Sequence, residues 1–335
     1  AAQHVAGLVH ETDTAASAHQ NWFEALDPSR CAGPHGEPLA VPVRIYQNIM
    51  TADVNEKGVL DVDTVKGCTA GMNARPGTGC YGGCYAANIA KFRGIDFAQA
   101  VVRKVGGSAN ARKIERAVAA APEGFFRVGT MGDPCHAWEH TVATIEWLAP
   151  LAVPVIVTKH WMVATDKQLS RLVACGTVLN TSVSALDTPA ELAHRERQIA
   201  RYTALGGVSV ARVVSCDFNT STEEGRSMAE VQARLFTLMP TLDNPLRVPG
   251  THPLVRRGVI RLRKVKDLAA IRTISIATDS TTYVGHCSAC PDKCGLASCG
   301  SQHPRPQPHQ LSLSLGRPVK NPRALPVVTF SVQAP

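Results

Sequence analysis

The chain has 335 residues, 44% of them hydrophobic and 19% charged, a globular composition with material for one large barrel or two ordinary domains. No apolar run approaches the roughly 18 residues that span a bilayer, and residues 1–20 lack a basic start followed by an apolar block, so a soluble, cytoplasmic protein with no membrane partner is expected. A net charge of +8 and a pI near 9.0 admit nucleic acid, a nucleotide or another anion as partner without requiring one.

In chain order, 1–42 is an Ala-, His- and Pro-rich N-terminal extension with little periodicity. Residues 43–49 (VRIYQNI) read as the first strand and 55–58 as a turn. A glycine-rich loop follows, carrying Cys68, Cys80 and Cys84, and from Tyr85 the composition becomes helical. Helices are expected over 89–104 and 109–121. Glycines let backbone amides approach a bound group, and closely spaced thiolates can reach one metal centre. Iron–sulfur and zinc both fit such a loop; buried, inert cysteines are the plainer alternative.

From Phe125 the rhythm changes. Strands are expected at 125–130, 153–158, 178–184 and 208–215, alternating with helices at 138–151, 166–174, 189–205 and 222–238. This alternation predicts an α/β protein with parallel strands and helices packed outside, either an open doubly wound sheet or a full or partial β/α (TIM-like) barrel over 43–280. No Gly-x-Gly-x-x-Gly opens any of the helices, which counts against a dinucleotide-binding Rossmann domain.

Polar residues collect where these strands end, the face that carries chemistry in such architectures. They are Gly132, Asp133, Cys135, His136, Glu139 and His140 after the first strand of the run, then Lys159 and His160, then Ser182, Ser184 and Asp187, then Ser215, Cys216, Asp217 and Asn219. Each aspartate could equally be a helix N-cap.

Of eleven cysteines, Cys31, Cys135, Cys175 and Cys216 stand alone. The second cluster, Cys287, Cys290, Cys294 and Cys299, is spaced C-x2-C-x3-C-x4-C among Gly, Pro, Asp and Ser. It reads as a metal-binding loop over 281–303 with no regular structure, holding iron–sulfur or zinc, the zinc on four cysteines or on three with His286 or His303. A last strand at 271–277 leads into it, and the Pro-rich tail 304–335 should run extended. The basic stretch 256–266 (RRGVIRLRKVK) suits a strand with one solvated face that could contact nucleic acid.

The series VGTMGDPCHAWEH, PVIVTKHW and NTSVSALDTPAELAHRERQIARYTALGGVSVARVVSCDFN, with Cys84-Tyr85-Ala86 upstream, resembles the radical S-adenosylmethionine barrel of the spore-photoproduct-lyase-like branch. That family usually carries C-x3-C-x2-C; here the spacing is C-x11-C-x3-C and position 87 is alanine. The resemblance implies a [4Fe–4S] cluster on Cys68, Cys80 and Cys84 and S-adenosyl-L-methionine at its open iron. It also implies an electron donor and a 5′-deoxyadenosyl radical that abstracts hydrogen from a substrate, with nucleic acid or a nucleotide favoured. Gly132 and Asp133 would lie near the methionine end of the cofactor, Ser182 and Ser184 near its ribose, and Lys159 at the same rim. Cys135 could return a hydrogen atom, beside Asp133 and Asp217 as catalytic candidates, and the C-terminal cysteines would hold an auxiliary cluster.

Two other readings compete. A zinc-containing β/α-barrel base-exchange transglycosylase acting on DNA or RNA, resembling the tRNA-guanine transglycosylases, would use Asp133, Asp187 or Asp217 as nucleophile or general base. A non-catalytic zinc module would bind nucleic acid through its basic surface but leaves the strand-end polar groups unexplained.

Overall fold

The computed structural model describes residues 48–74, 79–238, 240–267, 272–276 and 286–302. The chain divides into two units, 1–47 and 48–335, and every described residue belongs to the second. The expected N-terminal extension, Cys31 and the tail 304–335 lie outside the described residues. Of the expected strand 43–49 only the end is described, where Ile49 bridges Lys104.

Chain order runs through β1 (Asp53–Val54), β2 (Leu60–Asp61), β3 (Val65–Lys66), α1 (Thr69–Ala74), α2 (Tyr85–Phe92), β4 (Val101–Val102) and α3 (Ser108–Ala119). It continues with β5 (Phe125–Val128), α4 (Trp138–Leu148), β6 (Val153–Thr158), α5 (Asp166–Ala174), β7 (Val178–Val183), α6 (Pro189–Ala204), β8 (Val208–Val213) and β9 (Asp217–Phe218). Then come α7 (Glu223–Leu235), β10 (Thr241–Asp243), α8 (Pro253–Arg256), β11 (Ile260–Arg261), β12 (Arg263–Asp267) and β13 (Arg272–Ile276). Among the described residues no helix is long and apolar enough to cross a membrane.

Seven strands form one sheet in the order β1-β2-β5-β6-β7-β8-β10, parallel from β2 to β10, with β1 antiparallel at one edge. The order never reverses. Leu60, Phe126, Val128, Ile156 and Leu179 share a core with Ile114 and Val118 of α3, Val142 and Ile145 of α4, Leu169 and Leu172 of α5, and Tyr202 of α6. Val183, Ala211 and Val213 pack on Leu192 of α6 and Leu235 of α7. These crossover helices therefore cover one face, whereas a doubly wound sheet would carry helices on both. On the other face Val59, Phe125, Val155, Val178, Val210 and Leu242 pack against Cys294 and Leu296.

Three expectations are corrected in detail. The helix after the first cysteine loop is Tyr85–Phe92, not 89–104. Gly94 (φ 65°) turns the chain left-handed there, and Ile95 N–H reaches back to Ala90 O, the geometry of a glycine C-cap. The basic stretch 256–266 is split among the end of α8, β11 and part of β12, the last paired antiparallel with β13, which falls within the expected strand 271–277. The C-terminal cysteine segment is not wholly irregular, since Cys287–Ala289 and Lys293–Gln302 form 3-10 turns.

Candidate functional site

The cysteine loop is set down on the carboxyl ends of the strands by close-fitting glycines. A Cβ on Gly71 would lie 2.7 Å from Cys68 Sγ, and one on Gly79 2.8 Å from Cys84 Cβ. Gly132, after β5, bridges Gly67, and a Cβ there would fall 2.5 Å from Val65 O. Among the loop's described residues, the one non-glycine with positive φ is Tyr81 (φ 61°), in the turn Cys80–Gly82. Its carbonyl accepts from His252 Nε2 at 2.8 Å; His252 Nδ1 accepts from Leu254 N–H, which leaves the proton on Nε2.

The Tyr81 side chain fixes the loop to β6 and β7. Its hydroxyl donates to Asp187 Oδ1 at 2.7 Å, and Lys159 Nζ touches that hydroxyl and stands 3.7 Å above the ring. Asp187 Oδ1 also meets Lys159 Nζ at 3.3 Å and Arg195 Nη1 at 2.7 Å, the latter close but off the line of a hydrogen bond, while Oδ2 accepts from Ser184 N–H. Arg195 Nε donates to Lys159 O, and its guanidinium lies 4.8 Å from the Trp161 ring. Burial works against the Asp187 charge, yet Lys159 and Arg195 hold its carboxyl below the ordinary range. Burial lowers the Lys159 ammonium despite the Asp187 partner. An open hollow of about 290 Å³ borders this network, lined by Lys159, Trp161, Ala190, His194 and Arg195 among others.

Asp133 caps the 3-10 turn Pro134–Ala137. Its Oδ1 accepts from Cys135 N–H at 3.0 Å and Thr158 Oγ1 at 2.6 Å, and its Oδ2 accepts from Lys159 N–H at 2.8 Å. Asp63 plays the matching part on the other side, accepting from the amides of Gly129, Thr130 and Met131. The two carboxylates fix the turn after β5.

Cys68 and Cys84 are neighbours of Cys80 electrostatically. Burial, Asp133 and the other two cysteines push the Cys68 thiol far up, and burial and Cys80 push Cys84 up. Among the described residues no group of three or more His, Cys, Asp or Glu side chains is placed to hold a metal ion, and Cys68, Cys80, Cys84, Cys135, Cys175, Cys216, Cys290 and Cys294 are free thiols. Thiols are soft donors, and the three stand on one glycine-rich loop near enough to influence one another's charge, but as placed they do not converge on a single metal position.

The other expected site residues fall as follows. Ser184 is fully buried, and its hydroxyl donates to Val214 O. Ser182 is buried on β7, opposite Arg212 of β8. Cys135 is 1% exposed and packs into the helix-side core with Trp138, so the structure does not bring it onto the open rim. Asp217 lies on β9, paired in register with Arg261 of β11, and its neighbours Cys216 and Phe218 pack in one cluster with Tyr81. In the second cluster Cys294 is buried, with φ 57°, and its carbonyl accepts from Asn180 Nδ2 at 2.9 Å; Cys290 is half-buried. Cys287 and Cys299 are placed by their backbone alone. Tyr81, Arg195, Asp63 and His252 were not evident from the sequence; only the position of Tyr81 between two cysteines hinted at a role. Compared with protein-family models, curated proteins and solved structures, the chain matches none.

Proposed function

We propose that this chain is an iron–sulfur enzyme of the radical S-adenosylmethionine type, built on a partial β/α barrel. The observation that carries the reading is that Cys68, Cys80 and Cys84 stand on one glycine-rich loop, near enough to influence one another's charge, and that this loop is tied down through Tyr81 to Lys159 and Asp187. The unreversed strand order, with helices on one face and residues 294–296 closing part of the other, favours the barrel.

Cys68, Cys80 and Cys84 would hold a [4Fe–4S] cluster, and three protein ligands leave one iron for the cofactor. When bound, the pair supplies one-electron cleavage of the sulfonium and so a radical able to take hydrogen from a substrate. The chain's own residues position and seal. Asp133 and Asp63 fix the turn after β5 against β6, the Tyr81–Lys159–Asp187–Arg195 network holds the cysteine loop down, and Trp161 shields that network. The basic charge favours an anion, a nucleotide or nucleic acid as substrate. The base-exchange reading is disfavoured because Asp133 and Asp187 have their oxygens committed to amides, a hydroxyl and buried cations.

The test is protein purified without oxygen and assayed for iron, sulfide, zinc and reductive cleavage of S-adenosylmethionine. About four irons with matching sulfide at this site are expected, with methionine and 5′-deoxyadenosine formed under strong reductant. Cys84→Ala should abolish both the iron at this site and the cleavage. Zinc without iron would overturn the reading and return the zinc-containing transglycosylase or binding module.

A further inference from the structure

Positive charge is gathered in one part of the chain. Between Asp63 and Glu115 there are eight Lys and Arg and a single carboxylate, Asp96, so all but one unit of the chain's net +8 lies there. Helix α2 stands in the middle of this stretch. Its inner face is alanine: Ala86, Ala87 and Ala90 pack with Phe97, Met72 and Met131 beside the cysteines. Its outer ridge is larger and bare, with Tyr85, Ile89 and Phe92, at i, i+4 and i+7, exposed to 50%, 37% and 91%. Lys91 and Arg93 flank Phe92, both exposed, and among the described residues no carboxylate pairs with either. Asp96, the one anion, accepts from Ala98 N–H in its own loop.

A single exposed apolar side chain needs no explanation. A ridge that ends in Lys-Phe-Arg does, because the bare ring offers a π-face and the cations beside it attract an anion. Single-stranded nucleic acid supplies both partners, phosphates along its backbone and unpaired bases free to stack on an aromatic ring. The ridge also leads to the candidate site: at its near end the Tyr85 hydroxyl donates to Thr130 O, just past β5, so a strand laid along α2 reaches the carboxyl-end rim. A membrane surface is matched less well, since the apolar ridge of an eight-residue helix buries little area in lipid.

We propose that the outer ridge of α2 is a docking surface for single-stranded nucleic acid, with Phe92 stacked on a base and Lys91 and Arg93 meeting the phosphates to either side. The proposal deepens the reading above by choosing among its substrates, and it rests on that reading for what is done to the strand; docking itself needs neither iron nor S-adenosylmethionine. Phe92, Lys91 and Arg93 do not act on the reacting atoms. They are binding residues that deliver the strand to the rim.

The experiment follows the fluorescence anisotropy of a labelled oligothymidylate titrated with the full chain over a salt series. Saturable binding that weakens with salt is expected for the wild type. Phe92→Ala should bind about tenfold more weakly or worse, and Phe92→Leu, which keeps apolar bulk without the aromatic face, should lose nearly as much. Lys91→Gln combined with Arg93→Gln should flatten the log–log salt slope by about 1.4, the share of two phosphate contacts on a single strand. Lys167→Gln combined with Arg197→Gln, exposed cations on α5 and α6, should leave the slope as it is in the wild type. The same oligonucleotide annealed to its complement should bind more weakly, its bases being closed to Phe92. No binding by the wild type, unchanged affinity in Phe92→Ala, or equal affinity for the duplex overturns the proposal. Binding of phosphatidylserine vesicles in place of the oligonucleotide would make the ridge a membrane contact, and binding of polyglutamate in its place a site for an acidic protein; either result overturns it too. Iron content and S-adenosylmethionine cleavage are read on the same preparations. Their absence with strand binding intact sinks the radical mechanism alone, and cleavage without strand binding sinks the docking surface alone.

Discussion

Asp187 is the one anion among the groups that hold the cysteine loop down. With a side chain 1% exposed, it balances Lys159 and Arg195. Its replacement by alanine leaves both cations buried without a partner, a loss of about 3–5 kcal/mol in urea unfolding, and it frees Tyr81, so iron retention should fall as well. Gly71→Ala separates the two effects. The added methyl meets Cys68 Sγ at 2.7 Å and should lower iron content with little change in unfolding midpoint. His160 gives a pH signature. Burial, the largest influence, pushes its imidazole from 6.5 down to about 3, with the ring against Trp138 and Nε2 beside Thr181 Oγ1. The unfolded chain therefore takes up a proton below pH 6.5 that the folded chain refuses. Its contribution to stability is complete above that pH and lost on the way down toward 3, with a slope of up to ~1.4 kcal/mol per pH unit. His160→Asn, which tolerates the left-handed φ of 52°, should flatten that slope. An unchanged slope would move the titration to another group.

The elements were legible to the degree that their own residues determine them. Val153–Thr158 and Asp166–Ala174 agree with expectation to the residue, because a β-branched run between turn signals and a Thr165–Gln168 capping box are local instructions. Helix α6 opens the same way, with Thr188 and Glu191 capping each other and Pro189 at the first position. Thr188→Ala should cost about 1 kcal/mol, and since α6 carries Arg195 it should also loosen the rim, read as faster hydrogen exchange at Lys159. The helix after Cys84 was overextended because Gly94 looks like an internal glycine until its left-handed φ is seen. Asp133, Lys159 and Ser184 were legible through the rule that strand ends carry function, though the structure gives each a structural duty. Arg195 could not be found that way. It is a mid-helix arginine, with the composition of a solvated face, and only the packing of α6 over the end of β6 buries it.

For the second unit as a whole, the consequential arrangement is that the C-terminal cysteine segment forms the floor of the sheet's open face. Leu296 and Cys294 lie on Val155, Val178, Val210 and Leu242, and Asn180 in mid-strand holds the carbonyl of Cys294. Gly295 passes so close that a Cβ would fall 2.6 Å from Val210. A metal on these cysteines would thus stabilise the cover of this face and not only a peripheral loop. Packing and ligation can be separated experimentally. Leu296→Ala removes packing alone and should cost about 1–2 kcal/mol, the low end for a half-buried leucine, with full metal content. Cys290→Ala removes a half-exposed thiol that packs little, so any loss of protection at β7 and β8 must come through the metal. Hydrogen exchange on both variants, with metal analysis alongside, is the measurement. The expected outcome is that Cys290→Ala loses metal and exposes the amides of Val178 and Val210 as much as Leu296→Ala does. Protection that survives in Cys290→Ala would mean that the floor is held by packing and by Asn180 alone, and that the C-terminal cysteines serve something other than covering this face.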